Sequence, residues 1–157
     1  LGIWRVHQFT KIEQIIISKP EDSWDLQEEL LKNCIDLWDE LGIHYEVVNI
    51  CTGDMGTVAA KKDDLEAWNP GAEQYKEIVS CSNCTDYQAN RLQIRYGQPG
   101  HSGQPIAHTL NSTAVATSRA LVAIMEQNQM EDGRVNIPEV LRPHMGGQEI
   151  LEPCNWG

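Results

Sequence analysis

Five features of this chain could do chemistry. Glu13 sits between Ile12 and the run Ile15-Ile16-Ile17. A carboxylate among isoleucines is costly unless a cation or several donors meet it. On the residues alone, an edge strand that turns Glu13 to water is the favoured reading, because alternating strands usually have a wet face. Glu77 and Ser80 lie three apart in Lys76-Glu77-Ile78-Val79-Ser80. Carboxylate and hydroxyl could share a hard cation such as magnesium if the strand ends or bends between them. A regular strand would point them to opposite faces, and a solvated strand face is again the simpler account. Cys81-Ser82-Asn83-Cys84 is a C-x-x-C, but no second pair of ligands stands at zinc-finger spacing, so buried free thiols are preferred. Arg119 falls in a helical pattern, either snorkelling over its helix or aiming its guanidinium at a ring or phosphate. Phe9 is the one Phe, against five Trp.

Other chemistry is missing. The sequence has no Walker phosphate loop, no dinucleotide-type glycine fingerprint and no His-Glu-x-x-His. A nucleotide would therefore have to be held from a sheet surface.

The elements that must position these residues follow from period and punctuation. Trp4 to Phe9 alternates bulky and polar residues and predicts a half-buried strand. Lys11 to Ser18 is β-branched and predicts a second strand. Glu21-Asp22-Ser23 opens a helix whose apolar stripe, Leu26, Leu30, Cys34, Leu37 and Leu41, is stopped by Gly42. His44 to Cys51, Asp63 to Trp68, Gln74 to Cys81, Arg91 to Tyr96 and Ile106 to Leu110 are further strand candidates. Gly97 to Pro105 is a loop, rich in Gly and Pro. Asn111-Ser112-Thr113 is a run of N-cap residues, so the second long helix is expected over Ala114 to Gln129. A short helix follows from Pro138 to about Arg142. Strands grouped rather than alternating with helices favour an α+β fold with a mainly antiparallel sheet flanked by helices.

Composition sets bounds. With 157 residues, 41% hydrophobic and 22% charged, the chain is long enough for one sizeable core. The formal net charge is -11, and Lys61-Lys62 is the one adjacent basic pair, which argues against a broad phosphate-gripping surface. No stretch approaches the roughly 20 apolar residues of a membrane span. Five Cys at irregular spacing do not suggest a disulfide framework, so a reducing, cytoplasmic compartment is expected. The chain lacks an initiator Met and is expected to start inside a larger protein.

The motifs, in this order, resemble one family. Arg5-Val6-His7-Gln8-Phe9-Thr10-Lys11-Ile12-Glu13-Gln14 resembles the second half of motif 2 of the seryl-tRNA synthetases. Glu77-Ile78-Val79-Ser80-Cys81-Ser82-Asn83 resembles their ATP-and-metal strand, and His108 through Arg119 resembles their motif 3. The connecting Asn49 to Gly56 and Asp86-Tyr87-Gln88-Ala89 look similar too. The resemblance covers essentially the whole chain, 1–157, as the C-terminal half of a class II catalytic domain. It implies activation of serine by ATP to seryl-adenylate, then transfer to tRNA. It also implies magnesium, a homodimeric parent, and a tRNA-gripping N-terminal arm. Carried over by position, Phe9 would stack under adenine with Arg119 over its other face, and Val6 would line that pocket. Glu77 and Ser80 would hold magnesium, with Ile78 and Val79 between them along the nucleotide. Glu13 would take the serine ammonium, and Asn111 and Thr113 would read its hydroxyl. No protein nucleophile is required.

Several features depart from the family. The Arg-x-Glu half of motif 2, the serine-binding Thr-x-Glu loop and motif 1 are absent from these residues. Asn90-Arg91 stands where the family usually shows two Arg. The isolated chain is therefore expected to be inactive. A non-catalytic nucleotide- or partner-binding domain, or an amino acid:carrier protein ligase, is the alternative.

Overall fold

The computed structural model describes residues 2–154, so the outermost ends of the expected 1–157 span lie outside the described residues. A short 3₁₀ turn, Gly2–Trp4, precedes β1 (Lys11–Ser18), and a second one, Pro20–Asp22, leads into α1 (Ser23–Glu40). There follow β2 (Tyr45–Asn49), β3 (Lys61–Asn69), β4 (Gln74–Asn83), α2 (Tyr87–Leu92), β5 (His108–Ala116) and α3 (Thr117–Gln127). A ribbon of β6 (Val135–Asn136) and β7 (Ile150–Leu151) brackets a 3₁₀ segment, Glu139–Met145. The five long strands form one antiparallel sheet in the order β1-β5-β4-β3-β2. The expected α+β, mainly antiparallel fold is the one observed.

One face of this sheet is dry. α1 turns Leu30, Leu31, Cys34 and Trp38 onto Leu65, Val79, Cys81 and Leu110, and α3 adds Ala120 and Ala123. Those four sheet residues are on alternating positions of β3, β4 and β5, as the two-residue strand period requires. Gly42, at φ +67, ends α1: its N–H donates to Asp39 O at 2.9 Å, and Ile43 N–H donates to Trp38 O at 3.3 Å. That is the Schellman arrangement, which favours glycine at this φ.

Three expectations are corrected. Trp4 to Phe9 is not a strand; beyond the turn at Gly2–Trp4 it is irregular, and it pairs with no described strand. Arg91 to Tyr96 is not a strand either. Tyr87–Leu92 is helical, supported by Asn90 Nδ2 donating to Asp86 Oδ2 (2.6 Å) and by Arg91 stacked 3.5 Å over the Tyr87 ring. Only an isolated Arg95–Ile106 bridge remains. Asn111-Ser112-Thr113 is not an N-cap: β5 runs on to Ala116, and the helix starts at Thr117. The short polar side chains that would have capped a helix find partners across the sheet instead, and tertiary contacts override the local signal. Arg119 is consequently the third residue of α3.

Candidate functional site

The other face of the sheet is open and polar. Cross-strand register places Glu13 opposite Thr113, and Ile15 opposite Asn111. Ser82 opposes Asn111 from the other side, Ser80 opposes Asp64, and Glu77 opposes Glu66. Opposed residues share a face, so these side chains form one surface across four strands.

Two bulges tune it. The register between β1 and β5 shifts at Ile12/Glu13, where Ala114 is the extra residue. The register between β3 and β4 shifts at Leu65/Glu66, where Ile78 is extra. A regular strand would have sent Glu77 and Ser80 to opposite faces; the bulge brings both to the open one. The bend that a shared cation would need is therefore present. It also explains why Ile78 and Val79, though adjacent, are both buried. The Val79 side chain lies in the core, so only its backbone is available to a ligand.

Glu13 is the best-coordinated group on this face. Asn111 Nδ2 donates to Oε1 and Thr113 Oγ1 to Oε2, both at 3.1 Å, and Lys11 Nζ lies 2.8 Å from Oε2. Burial alone would raise this carboxyl, but the three donors outweigh it and hold its pKa below the ordinary value. The isoleucines do not bury it. β1 is the sheet edge, and Ile12, Ile15 and Ile17 are exposed while Ile16 packs on the core. Glu13 faces the open side with its donors already in place.

Arg119 reaches back from the start of α3. Its Nη1 donates to Glu77 O (2.8 Å) and to Glu77 Oε1 (3.0 Å), and its guanidinium stands 5.6 Å from the Trp4 ring centroid. Phe9, Lys11, Glu77, Ile78, Thr113 and Arg119 line a cavity of about 140 Å³, together with Ala116. Val6 is half-buried and does not line it. Ser80 also lies outside that lining, farther along β4 from Glu77 and opposite Asp64. A second cavity, about 430 Å³, opens on the other side of Lys11, against Glu13, Gln88 and Asn111.

Sequence reasoning missed the acidic patch flanking Glu77. Asp64 is 3% exposed, its Oδ1 has no hydrogen-bond partner, and Lys62 Nζ lies 3.4 Å from its Oδ2. Burial pushes its pKa up, the Ser80 hydroxyl and Lys62 pull it down, and the Glu77 charge raises it again. Glu66 is raised by burial and by Glu46, Asp64 and Glu77. The alternation in Lys62-Asp63-Asp64-Leu65-Glu66 was the available signal. It could not show which of the two aspartates faced the site. Asp63 is also buried, but on the α1 side, where Gln27 and Asn49 donate to it. Lys11 was missed as well. Cys81 and Cys84 are buried free thiols.

A family model for the tRNA synthetase class II core domain (G, H, P, S and T) matches residues 1–128, and the chain belongs to that family. The chain is 60% identical over 151 residues to the serine--tRNA ligase of Methanocella arvoryzae, covering 96% of this chain and 36% of that protein. It is 56% identical over 150 residues to that of Pyrococcus horikoshii, covering 96% of this chain and 33% of the relative. The crystal structure of seryl-tRNA synthetase from Pyrococcus horikoshii complexed with ATP superposes with a TM-score of 0.94 at 54% identity, over 98% of this chain and 34% of that one. The cytoplasmic serine-tRNA ligase from Naegleria fowleri in complex with AMP gives 0.92 at 49% identity, over 99% and 37%. The chain thus spans about a third of the length of these proteins.

Proposed function

We propose that this chain is the C-terminal half of the catalytic domain of a serine–tRNA ligase, from the second half of motif 2 through motif 3. The observation that carries the reading is the Glu13–Asn111–Thr113 cluster. A carboxylate held ionised beside an amide and a hydroxyl suits a small amino acid with an ammonium and a hydroxyl. A pocket built on hydrogen bonds to a hydroxyl rejects alanine, which would leave those groups unpaired.

Serine would place its ammonium on Glu13 and its hydroxyl against Asn111 and Thr113. Its carboxylate oxygen attacks the α-phosphorus of ATP, the bond to the β-bridging oxygen breaks, and pyrophosphate leaves with the electron pair. A terminal ribose hydroxyl of the tRNA would then attack the seryl carbonyl, the bond from that carbon to the phosphate oxygen breaks, and AMP leaves with the electron pair while the hydroxyl proton passes to its phosphate. Phe9 and Arg119 would clamp the adenine between a π-face and a guanidinium, with Val6 at the rim. The backbone of Ile78 and Val79 would run along the nucleotide. Catalysis is positioning and charge stabilisation, with no protein nucleophile.

Glu77 and Ser80 would hold magnesium. The oxygen-only donors suit a hard cation, and the partnerless buried oxygen of Asp64 beside Ser80 fits a positive charge there. Bound magnesium would neutralise charge on the ATP phosphates.

tRNA would be gripped mainly by an N-terminal arm of the parent, in keeping with the charge of -11 on these residues. The parent would be a cytoplasmic homodimer; no helix among the described residues is long and apolar enough to cross a membrane. The chain alone is expected to be inactive. The test is serine-dependent exchange of pyrophosphate into ATP by the full-length protein that carries this chain. No exchange by that protein, folded, overturns the reading.

A further inference from the structure

Lys11 stands at the wall between the two cavities. It lines the smaller one with Phe9 and Arg119 and the larger one with Glu13 and Asn111. Lys11 and Glu13 are two apart on β1, and the bulge opposite them adds its extra residue to β5, so both side chains share the open face. The ammonium rests 2.8 Å from Glu13 Oε2, on the same oxygen that accepts from Thr113.

This contact resembles the one a substrate ammonium would make. It is also weak by construction. The Lys11 side chain is 44% exposed and that of Glu13 20%, and ion pairs so open to water contribute little. A lysine ammonium rides on a flexible four-carbon stem and can swing without disturbing the strand that carries it. Its side chain already reaches the cavity that holds Glu77 and Arg119.

Resting on the proposed function, we infer that Lys11 is a place-holder for the α-ammonium of the substrate: it occupies Glu13 in the empty site and is displaced toward solvent by the incoming amino group. Two consequences follow. Glu13 never stands desolvated and unpaired while the site is empty. A ligand with no amino group cannot displace Lys11 from Glu13, so part of the preference for the amino group is spent on the exchange of one ammonium for another. Specificity is a difference between bound states, and Lys11 sets one side of it.

The test measures binding, not turnover, in the full-length protein. The probes are 5′-O-(N-seryl)sulfamoyl adenosine and its desamino counterpart, in which hydrogen replaces the amino group. Each is titrated calorimetrically against the wild type, Lys11→Met and Lys11→Arg. Lys11 displaced into water gains no contact with either probe, so the ratio of the two affinities reads the exchange at Glu13. The place-holder predicts that the preference for the amino probe rises about threefold in Lys11→Met, the scale of one exposed ion pair. It predicts a return toward the wild-type ratio in Lys11→Arg. An unchanged or lower ratio in Lys11→Met overturns the inference and leaves the proposed function standing. If neither probe binds the wild type, the proposed function itself fails and takes this inference with it. Unfolding curves of the variants separate a lost fold from a lost contact.

Discussion

The two faces of the sheet are made by the same strands and obey opposite rules. Behind, Leu65, Val79, Cys81 and Leu110 are fully packed under Trp38 and Cys34. In front, Glu66 directly opposes Glu77, and burial together with the Glu77 charge helps raise the pKa of both Asp64 and Glu66. Like charges directly across a sheet are destabilising. The back face buries apolar surface, which drives folding. The front face spends stability on charges arranged for a ligand. Asn111-Ser112-Thr113 shows how fine the division is. Asn111 and Thr113 face the front and bond Glu13, while Ser112 between them faces back and meets the Cys34 thiol at 3.3 Å. The bulges matter because a shift of one residue exchanges the faces.

The largest expected effect lies behind. Trp38 is fully buried, so Trp38→Ala is expected to cost about 3–5 kcal/mol of stability. Its indole Nε1 has no partner, so Trp38→Phe keeps most of the packing, strands no donor, and should cost much less. Denaturant unfolding of the two variants checks this. If Glu13→Ala on the front face destabilised as much as Trp38→Ala, the division of labour between the faces would be wrong.

Much of the back face was legible in the sequence, because burial writes a period. The α1 stripe, its Gly42 stop and the β-branched Lys11 to Ser18 run all stand in the structure. What was misread was read locally. Asn111-Ser112-Thr113 looks like a helix cap until Glu13, about a hundred residues away, is placed beside it. Tyr87–Leu92 hid as a helix because its support is side-chain pairing, Asn90 to Asp86 and Arg91 on Tyr87, rather than an apolar stripe. Of the residues proposed from motifs, Phe9, Glu77, Ile78, Thr113 and Arg119 meet in one cavity, and Glu13 and Asn111 line the cavity beside it. Val6 lines neither, and Ser80 reaches the open face only through the bulge. No pattern in a single strand announces a bulge. Asp64 was not legible at all: Asp63 and Asp64 are chemically identical, and the register alone decides which one faces the site.

The next effect lies in front and should touch activity more than stability. Glu13→Gln removes the charge but keeps the shape. Hydrogen bonds to a charged group are worth about 1.5–3 kcal/mol, so a drop of about 10- to 100-fold in kcat/KM for serine is expected in the exchange assay of the full-length protein. The KM for ATP should change little, because Phe9 and Arg119 remain. Equal loss for both substrates would mean that Glu13 braces the β1–β5 bulge rather than binding serine. Thr113→Val gives a smaller version of the same split, since a neutral hydrogen bond is worth about 1 kcal/mol.

The smallest effect carries the opposite sign. Burial and the nearby Glu77 charge raise the folded-state pKa of Asp64 above its ordinary value, outweighing Ser80 and Lys62. A carboxyl whose folded pKa is raised contributes stability that is fully present below the unfolded pKa. That contribution is lost as pH rises through the folded value. At neutral pH the ionised Asp64 therefore costs stability, and Asp64→Asn is expected to raise the Tm there by the equivalent of about 1 kcal/mol or less. The gain should shrink as pH falls through that raised folded value and be gone below about 4, the ordinary aspartate range. Thermal unfolding of both proteins across that range reads the sign directly. A stabilised Asp64→Asn that also exchanges pyrophosphate more slowly would show that the front face holds an unfavourable charge for the sake of its ligand. A variant destabilised at neutral pH would show instead that Lys62 and Ser80 make Asp64 a structural anchor. The two faces of the sheet would then differ in polarity but not in purpose.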